Sequence, residues 1–213
     1  MGSNGIKIVI FEIVGVLCDM KDAFFVMKAL QCPHGIGMSD RSSDYRHLNT
    51  GQYTVKDIRM RAKDDYLAIP RPLPPERPVD WDVCIVDHDE MVFEAVRALR
   101  QKGIRTAIMT NNYWMDDSRI KSLMIGRERL RDFDFVVESC RLGIIKPDKR
   151  IYDYFLRMMI GRCTPQQCVF LDHDMDNCKQ AANFGMKVIH VDILNRRAAI
   201  QSLEQILGCT LVG

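Results

Sequence analysis

Carboxylates alternate along Asp172-His173-Asp174-Met175-Asp176-Asn177, and another acid, Glu12, interrupts an apolar run near the start of the 213-residue chain. Acidic oxygens at every second position are the pattern of a calcium loop. No glycine follows at the sharp turn and no glutamate closes the set, so calcium is not expected. His173 with Glu12 and Asp172 offers one nitrogen and two carboxylates to zinc, but a histidine that merely fills space is the favoured reading. The eight cysteines contain no C-x-x-C pair. Cys163 and Cys168 are the nearest two, with no histidine at finger spacing. Cys18, Cys84, Cys140, Cys168 and Cys178 lie in or beside apolar segments and read as small buried hydrophobes. Reduced thiols in the cytosol or nucleus are the simplest expectation.

These groups need elements to hold them. Residues 6–13 (IKIVIFEI) are almost continuously apolar and β-branched, as expected of a parallel strand covered on both faces. Further strands are predicted over 105–110, 133–137, 168–172 and 187–191. Between them lie helical stripes. Val92, Phe93, Val96 and Leu99 form one, stopped by Gly103. Ile151, Phe155, Met158 and Met159 form the next, after Pro147. Residues 177–184 end at Gly185, and residues 198–207 pack through Ile200, Leu203 and Ile206. Alternation of this kind predicts an α/β fold with a doubly wound parallel sheet.

One stretch breaks the alternation. Residues 18–87 hold no convincing buried strand. Helical patterns are predicted around 22–30 and 55–67, the second opened by a capping-box-like Thr54-Val55-Lys56-Asp57. The tract Pro70-Arg-Pro-Leu-Pro-Pro-Glu-Arg-Pro78 cannot continue a helix. The expected division is therefore a core of residues 1–17 and 88–213, with a small helical cap over 18–87 inserted after the first strand. Such an insertion lies over the carboxyl ends of the strands, where doubly wound sheets bind ligands.

Composition excludes several roles. A hydrophobic share of 47% permits an ordinary globular core, and a net charge of +2 is too small to suggest nucleic acid. Arg59–Arg61 and the Arg127, Arg129, Arg131 cluster read as solvated helix faces. No stretch approaches the roughly 20 apolar residues of a membrane helix. The first residues do not read as a signal peptide, and Ile6 argues against myristoylation.

Four segments in order carry a family resemblance. Phe11-Glu12-Ile13-Val14-Gly15-Val16-Leu17 resembles the first motif of haloacid dehalogenase-type hydrolases, a strand ending in F-D-x-(D or G)-G-V-L. Ala107-Ile108-Met109-Thr110-Asn111-Asn112 resembles the second, Ile145-Lys146-Pro147-Asp148 the third, and Phe170-Leu171-Asp172-His173-Asp174 the fourth, usually F-L-D-D followed by an asparagine. His47-Leu-Asn-Thr-Gly51-Gln-Tyr-Thr54 resembles the cap turn of one subgroup, which contains the N-terminal phosphatase domain of soluble epoxide hydrolase. That subgroup tends to dimerise, which permits a homodimer here.

The resemblance implies a Rossmann-like core and phosphoryl-transfer chemistry. The first-motif aspartate attacks phosphorus, and a second aspartate two residues later protonates the leaving oxygen. A fourth-motif aspartate and the nucleophile hold Mg²⁺, while threonine and lysine steady the phosphate. On that pattern Glu12 stands at the nucleophile position and Val14 at the acid/base position. His173 stands where a metal-binding aspartate belongs, leaving Glu12, Asp172 and His173 as a degenerate metal set. Thr110 and Lys146 match the phosphate-steadying positions. Asn177 matches a family asparagine that ties the fourth-motif loop, and Asn111 follows the second motif. Trp114 and Tyr113 are expected to pack in the core.

The extra methylene of Glu12 displaces the nucleophile by roughly 1 Å or more, and misplacement on that scale can cost about a hundredfold. Val14 cannot transfer a proton, and imidazole is a poor ligand for Mg²⁺. The expectation is an inactive phosphatase-like fold that serves as a protein-interaction or scaffold module, with no cofactor and an unidentified protein partner. The rival is a Mg²⁺-dependent phosphatase or related hydrolase that uses Glu12. A third reading is a sensor of a phosphorylated metabolite through Lys146 and Thr110. Tyr53 and Leu73 on the insertion have two open readings, as exposed anchors for a partner or as side chains packed inward against the core.

Overall fold

The computed structural model describes residues 5–19, 43–57, 88–114, 116–120, 122, 125 and 127–213. Five strands, β1 (Ile8–Phe11), β2 (Arg105–Thr110), β3 (Phe135–Glu138), β4 (Cys168–Asp172) and β5 (Lys187–His190), form one sheet in the order β3-β2-β1-β4-β5. Every pairing is parallel. The central position of β1 explains its unbroken apolar sequence, because alternate side chains enter two different cores. Val9 and Phe11 pack with Val96, Leu99 and Leu203 on one face, and Ile8 and Ile10 pack with Phe155, Phe170 and Ala181 on the other. A strand buried on both faces has no polar side to alternate with.

The described helices are α1 (Ser43–Asn49), α2 (Glu90–Gln101), α3 (Arg127–Leu130), α4 (Ser139–Leu142), α5 (Lys149–Met158), α6 (Met175–Asn183) and α7 (Arg196–Leu207). Four of them begin ahead of the apolar stripe that marks them in the sequence. Asp89, Asp148, Asp174 and Asn195 each accept a backbone N–H of the following turn through the side chain, so the cap sets the start. Two strands also differ from expectation. The ladder of β3 begins at Phe135 rather than residue 133, because Asp134 turns its carboxylate onto the Thr106 N–H at 2.9 Å. The expected strand over 6–13 narrows to Ile8–Phe11, since Ile13 O accepts from Leu17 N and Cys18 N in a tight turn.

The chain leaves the core at Cys18, which bridges antiparallel to His88, and Asp89 N donates to Leu17 O at 2.9 Å. Of residues 18–87, the described part beyond Asp19 is 43–57. It sits at the carboxyl ends of β2 and β3. Ser139 Oγ donates to Asn49 O at 2.6 Å, and Val55 N donates to Trp114 O at 2.8 Å. The box expected at Thr54 is present. Thr54 N donates to Asp57 Oδ2 at 2.7 Å, and Asp57 N donates to Thr54 Oγ1 at 3.1 Å. Tyr53 takes the inward of its two readings. It is half-buried, packed against the core and edge-on to His47, rather than standing out as an anchor. The pattern at 22–30, the rest of 55–67, Cys84, the Pro70–Pro78 tract and Leu73 lie outside the described residues.

Gly51 makes the docking of this segment possible. Its φ is +72°, and a Cβ there would lie 2.3 Å from Cys140 O and 2.9 Å from the Trp114 indole nitrogen. Gly103 has a similar φ of +74° but open space around it. Gly103→Ala should therefore cost only the left-handed strain of about 1–2 kcal/mol. Gly51→Ala should add overpacking of about 1–3 kcal/mol. Urea midpoints of the two variants test this, and equal losses would show that the contact with Cys140 is not tight.

Candidate functional site

Three parallel strands end side by side and aim their last residues at one point. Thr110 closes β2 and Asp172 closes β4. Glu12 follows β1 directly, with its N–H donated to Leu171 O at 2.9 Å, which keeps it in line with β4. The fourth member, Lys146, comes from the turn ahead of α5. Asn111 holds that turn from both sides: its amide donates to Lys146 O at 3.1 Å and accepts from Lys146 N at 2.8 Å.

The four side chains bond to one another. Glu12 Oε1 accepts from the Thr110 hydroxyl and from Ile13 N, the latter at 2.6 Å. Glu12 Oε2 accepts from the Lys146 ammonium. Lys146 Nζ also donates to Asp172 Oδ2 at 2.6 Å and to Met109 O at 2.9 Å, which uses all three of its protons. Asp172 Oδ2 accepts in addition from Asn177 Nδ2 at 3.0 Å, and Asp172 Oδ1 accepts from Asp174 N at 2.8 Å. The side chains of Lys146 and Asp172 are wholly buried, and that of Glu12 is 5% exposed.

Burial alone would pull the Lys146 ammonium below its ordinary value. The neighbouring charges of Asp172 and Glu12 more than offset it, so the lysine is held above that value and stays charged. Burial likewise pushes up the phenol of Tyr152, which donates to Asn177 O at 3.0 Å. The Cys178 thiol is pushed up to about 12, by burial first and then by the charge of Asp172. It therefore stays protonated beside the site and has none of the thiolate character of a nucleophile.

Of the residues singled out in the sequence, Glu12, Thr110, Lys146, Asp172, Asn111 and Asn177 meet here. Val14 and His173 do not join them. Val14 is partly buried against the core, and its backbone bridges to Cys18. His173 lies on Gly15, where a Cβ would come within 2.8 Å of the imidazole ring, and its Nδ1 is 3.7 Å from Asp172 Oδ1. Asp174 caps α6, and Asp176 is exposed and pairs with Lys179, so the alternating acids do not converge on a calcium ion.

The expected metal set does not fit a cation in this arrangement. The carboxylate oxygens of Glu12 and Asp172 face N–H and O–H donors. The remaining position is an imidazole, whereas Mg²⁺ prefers hard oxygen ligands in octahedral array. Among the described residues, no three His, Cys, Asp or Glu side chains converge as a metal site.

Sequence reasoning missed two supports of the site. Arg196, the first residue of α7, donates through Nε to Gly15 O and through Nη2 to Cys18 O, both at 3.0 Å, and its Nη1 lies 3.5 Å from Asp89 Oδ2. It thus clamps the loop after Glu12 to Asp89, the cap of α2. The second is a buried polar cluster beyond β2 and β3. Glu138 accepts from Asn112 Nδ2 at 2.8 Å and from Ser122 Oγ at 2.5 Å, and Ser139 Oγ accepts from Asn112 N at 2.9 Å. Trp114 is buried above it, donating to Cys140 O at 3.2 Å, with the Arg141 guanidinium stacked 4.5 Å from its ring. No local pattern announces either support.

A parallel sheet with Glu12, Thr110, Lys146 and Asp172 at its carboxyl ends is the arrangement the four motifs imply. The profile of the haloacid dehalogenase-like hydrolase family matches residues 6–185, and the chain belongs to that family. Among curated relatives, it is 38% identical over 119 residues to bifunctional epoxide hydrolase 2 of Mus musculus, covering 55% of this chain and 21% of that protein. The pig (Sus scrofa) counterpart is 31% identical over 162 residues, covering 75% of this chain and 28% of the relative. Acyl-CoA dehydrogenase family member 10 of Mus musculus is 37% identical over 118 residues, covering 55% of this chain and 10% of that protein. The matched segment thus spans about a quarter or less of the length of these relatives.

Solved structures agree on the fold. A HAD-like family hydrolase from Porphyromonas gingivalis superposes with a TM-score of 0.64 at 19% identity, covering 93% of this chain and 97% of that one. A HAD family enzyme from Bacteroides thetaiotaomicron, solved with magnesium and inorganic phosphate, gives 0.62 at 18% identity, covering 86% and 93%. No described helix is long and apolar enough to cross a membrane.

Proposed function

We propose that this chain is a haloacid dehalogenase-like domain without phosphatase turnover, kept as a protein-interaction module. The observation that carries the reading is the bonding of Glu12. Its carboxylate engages the Thr110 hydroxyl and the Lys146 ammonium, the two groups that the family resemblance assigns to steadying a phosphate. A carboxylate held there blocks the anion it would have to attack. Val14 at the acid/base position has no proton to give, a step commonly worth about 10² to 10⁴ in rate. Losses in separate functions multiply, so little turnover is left to expect. The role assigned in place of turnover is contact with a protein partner, a second copy of the chain included.

The expected result is that purified protein with Mg²⁺ hydrolyses an aryl phosphate no faster than a blank. Turnover that vanishes in Glu12→Ala would overturn the reading in favour of a Glu12-dependent phosphatase. Turnover that survives the substitution would mark a contaminant.

A further inference from the structure

At the amino end of β4, away from the site, two thiols face each other. Cys163 Sγ and Cys168 Sγ lie 3.7 Å apart. Cys168 is buried as the first residue of β4, whereas Cys163 is half-buried. The turn between them is already built. Thr164 N donates to Gln167 Oε1 and Gln167 N to Thr164 O, each at 3.0 Å, and Pro165 fixes the backbone between. Cys168 Sγ donates to Thr164 O at 3.4 Å, and Gln167 O accepts from Lys7 N at 2.9 Å, which pins the turn beside β1. Closing so short and ordered a loop sacrifices little chain entropy. Side-chain rotation then has to bring the sulfurs to about 2.05 Å.

We propose that Cys163 and Cys168 are a dithiol that closes to an intramolecular disulfide by exchange with glutathione disulfide. The half-buried Cys163 reacts first: its thiolate attacks one sulfur of the oxidant, forms a mixed disulfide and releases one glutathione thiolate. Cys168 then gives up its proton and attacks the Cys163 sulfur, forming the internal bond and releasing the second glutathione thiolate. The two protons from the cysteines go to the two glutathiones, so two protein thiols are oxidised and one glutathione disulfide is reduced. Burial holds the Cys168 thiol well above its ordinary range, with Cys163 adding to the effect, so Cys168 is not the thiol that meets the oxidant first. Asp172 lies four residues farther along β4. At about 3.3 Å per residue that is roughly 13 Å away, so closure leaves the Glu12–Lys146–Asp172 cluster in place.

The test incubates the full chain with glutathione disulfide, then reads intact mass and a peptide map. Wild type should lose two hydrogens, carry no adduct, yield a Cys163–Cys168 cross-linked peptide and revert with dithiothreitol. Cys168→Ser should instead hold glutathione on Cys163, and Cys163→Ser should form neither product. Cys168→Ala provides the same trap with an apolar side chain if the serine disturbs folding. A stable adduct on Cys163 in wild type, a link to another cysteine, or an unchanged Cys163–Cys168 thiol pair would each overturn the proposal.

Discussion

Lys146→Met is expected to cost about 3–5 kcal/mol of stability, because it strands two carboxylates in a buried site without their cation. Asp172 would keep Asn177 and the Asp174 N–H, and Glu12 would keep Thr110 and Ile13 N, but neither would face a counter-charge. The loss should be read in full at pH 7, where variant and wild type are first compared.

The pH dependence belongs to the lysine that the variant lacks. Lys146 is held above its ordinary value of 10.5, so its contribution is fully present below about that pH and fades only as pH rises beyond it. Urea denaturation of both proteins across this range is the check. A loss under about 1 kcal/mol, or one that does not change with pH, would mean that the cluster is not held by its charges.

The triple substitution Glu12→Asp, Val14→Asp and His173→Asp is expected to give Mg²⁺ binding tighter than that of the wild type. Shortening Glu12 withdraws its carboxylate from Thr110 and Lys146 and leaves room for an anion between them. His173→Asp puts a hard oxygen beside Asp172, and it relieves rather than crowds the contact with Gly15, where the ring now packs. Val14→Asp restores a proton donor. With the attacking group repositioned, aryl phosphate hydrolysis above the blank becomes measurable if the new donor also engages. Calorimetry is the primary measurement, since it reads Mg²⁺ uptake without requiring turnover. Absence of any Mg²⁺ uptake by a folded triple variant would show that the motif alignment is wrong, or that the backbone has moved positions 12 and 173 away from the metal-holding places.

The α/β fold was written locally. A strand covered on both faces must be apolar at every position, so residues 6–13 and 168–172 stand out without reference to anything else in the chain. Asp89, Asp148 and Asp174 mark helix starts because a cap is satisfied within three residues of itself. The motif order from Glu12 to Asp172 likewise located the candidate site. Where the sequence reading slipped, at β3, a tertiary hydrogen bond from Thr106 to Asp134 moved the boundary against local propensity.

What the site residues do to one another was decided only in three dimensions. Glu12 is 98 residues from Thr110 and 134 from Lys146, and Arg196 is 181 residues from Gly15. Pairings across such separations leave no periodicity and no spacing rule in the chain. From sequence, Lys146 and Thr110 are two groups ready for an anion. Folded, they are bonded to the carboxylate of the protein's own Glu12.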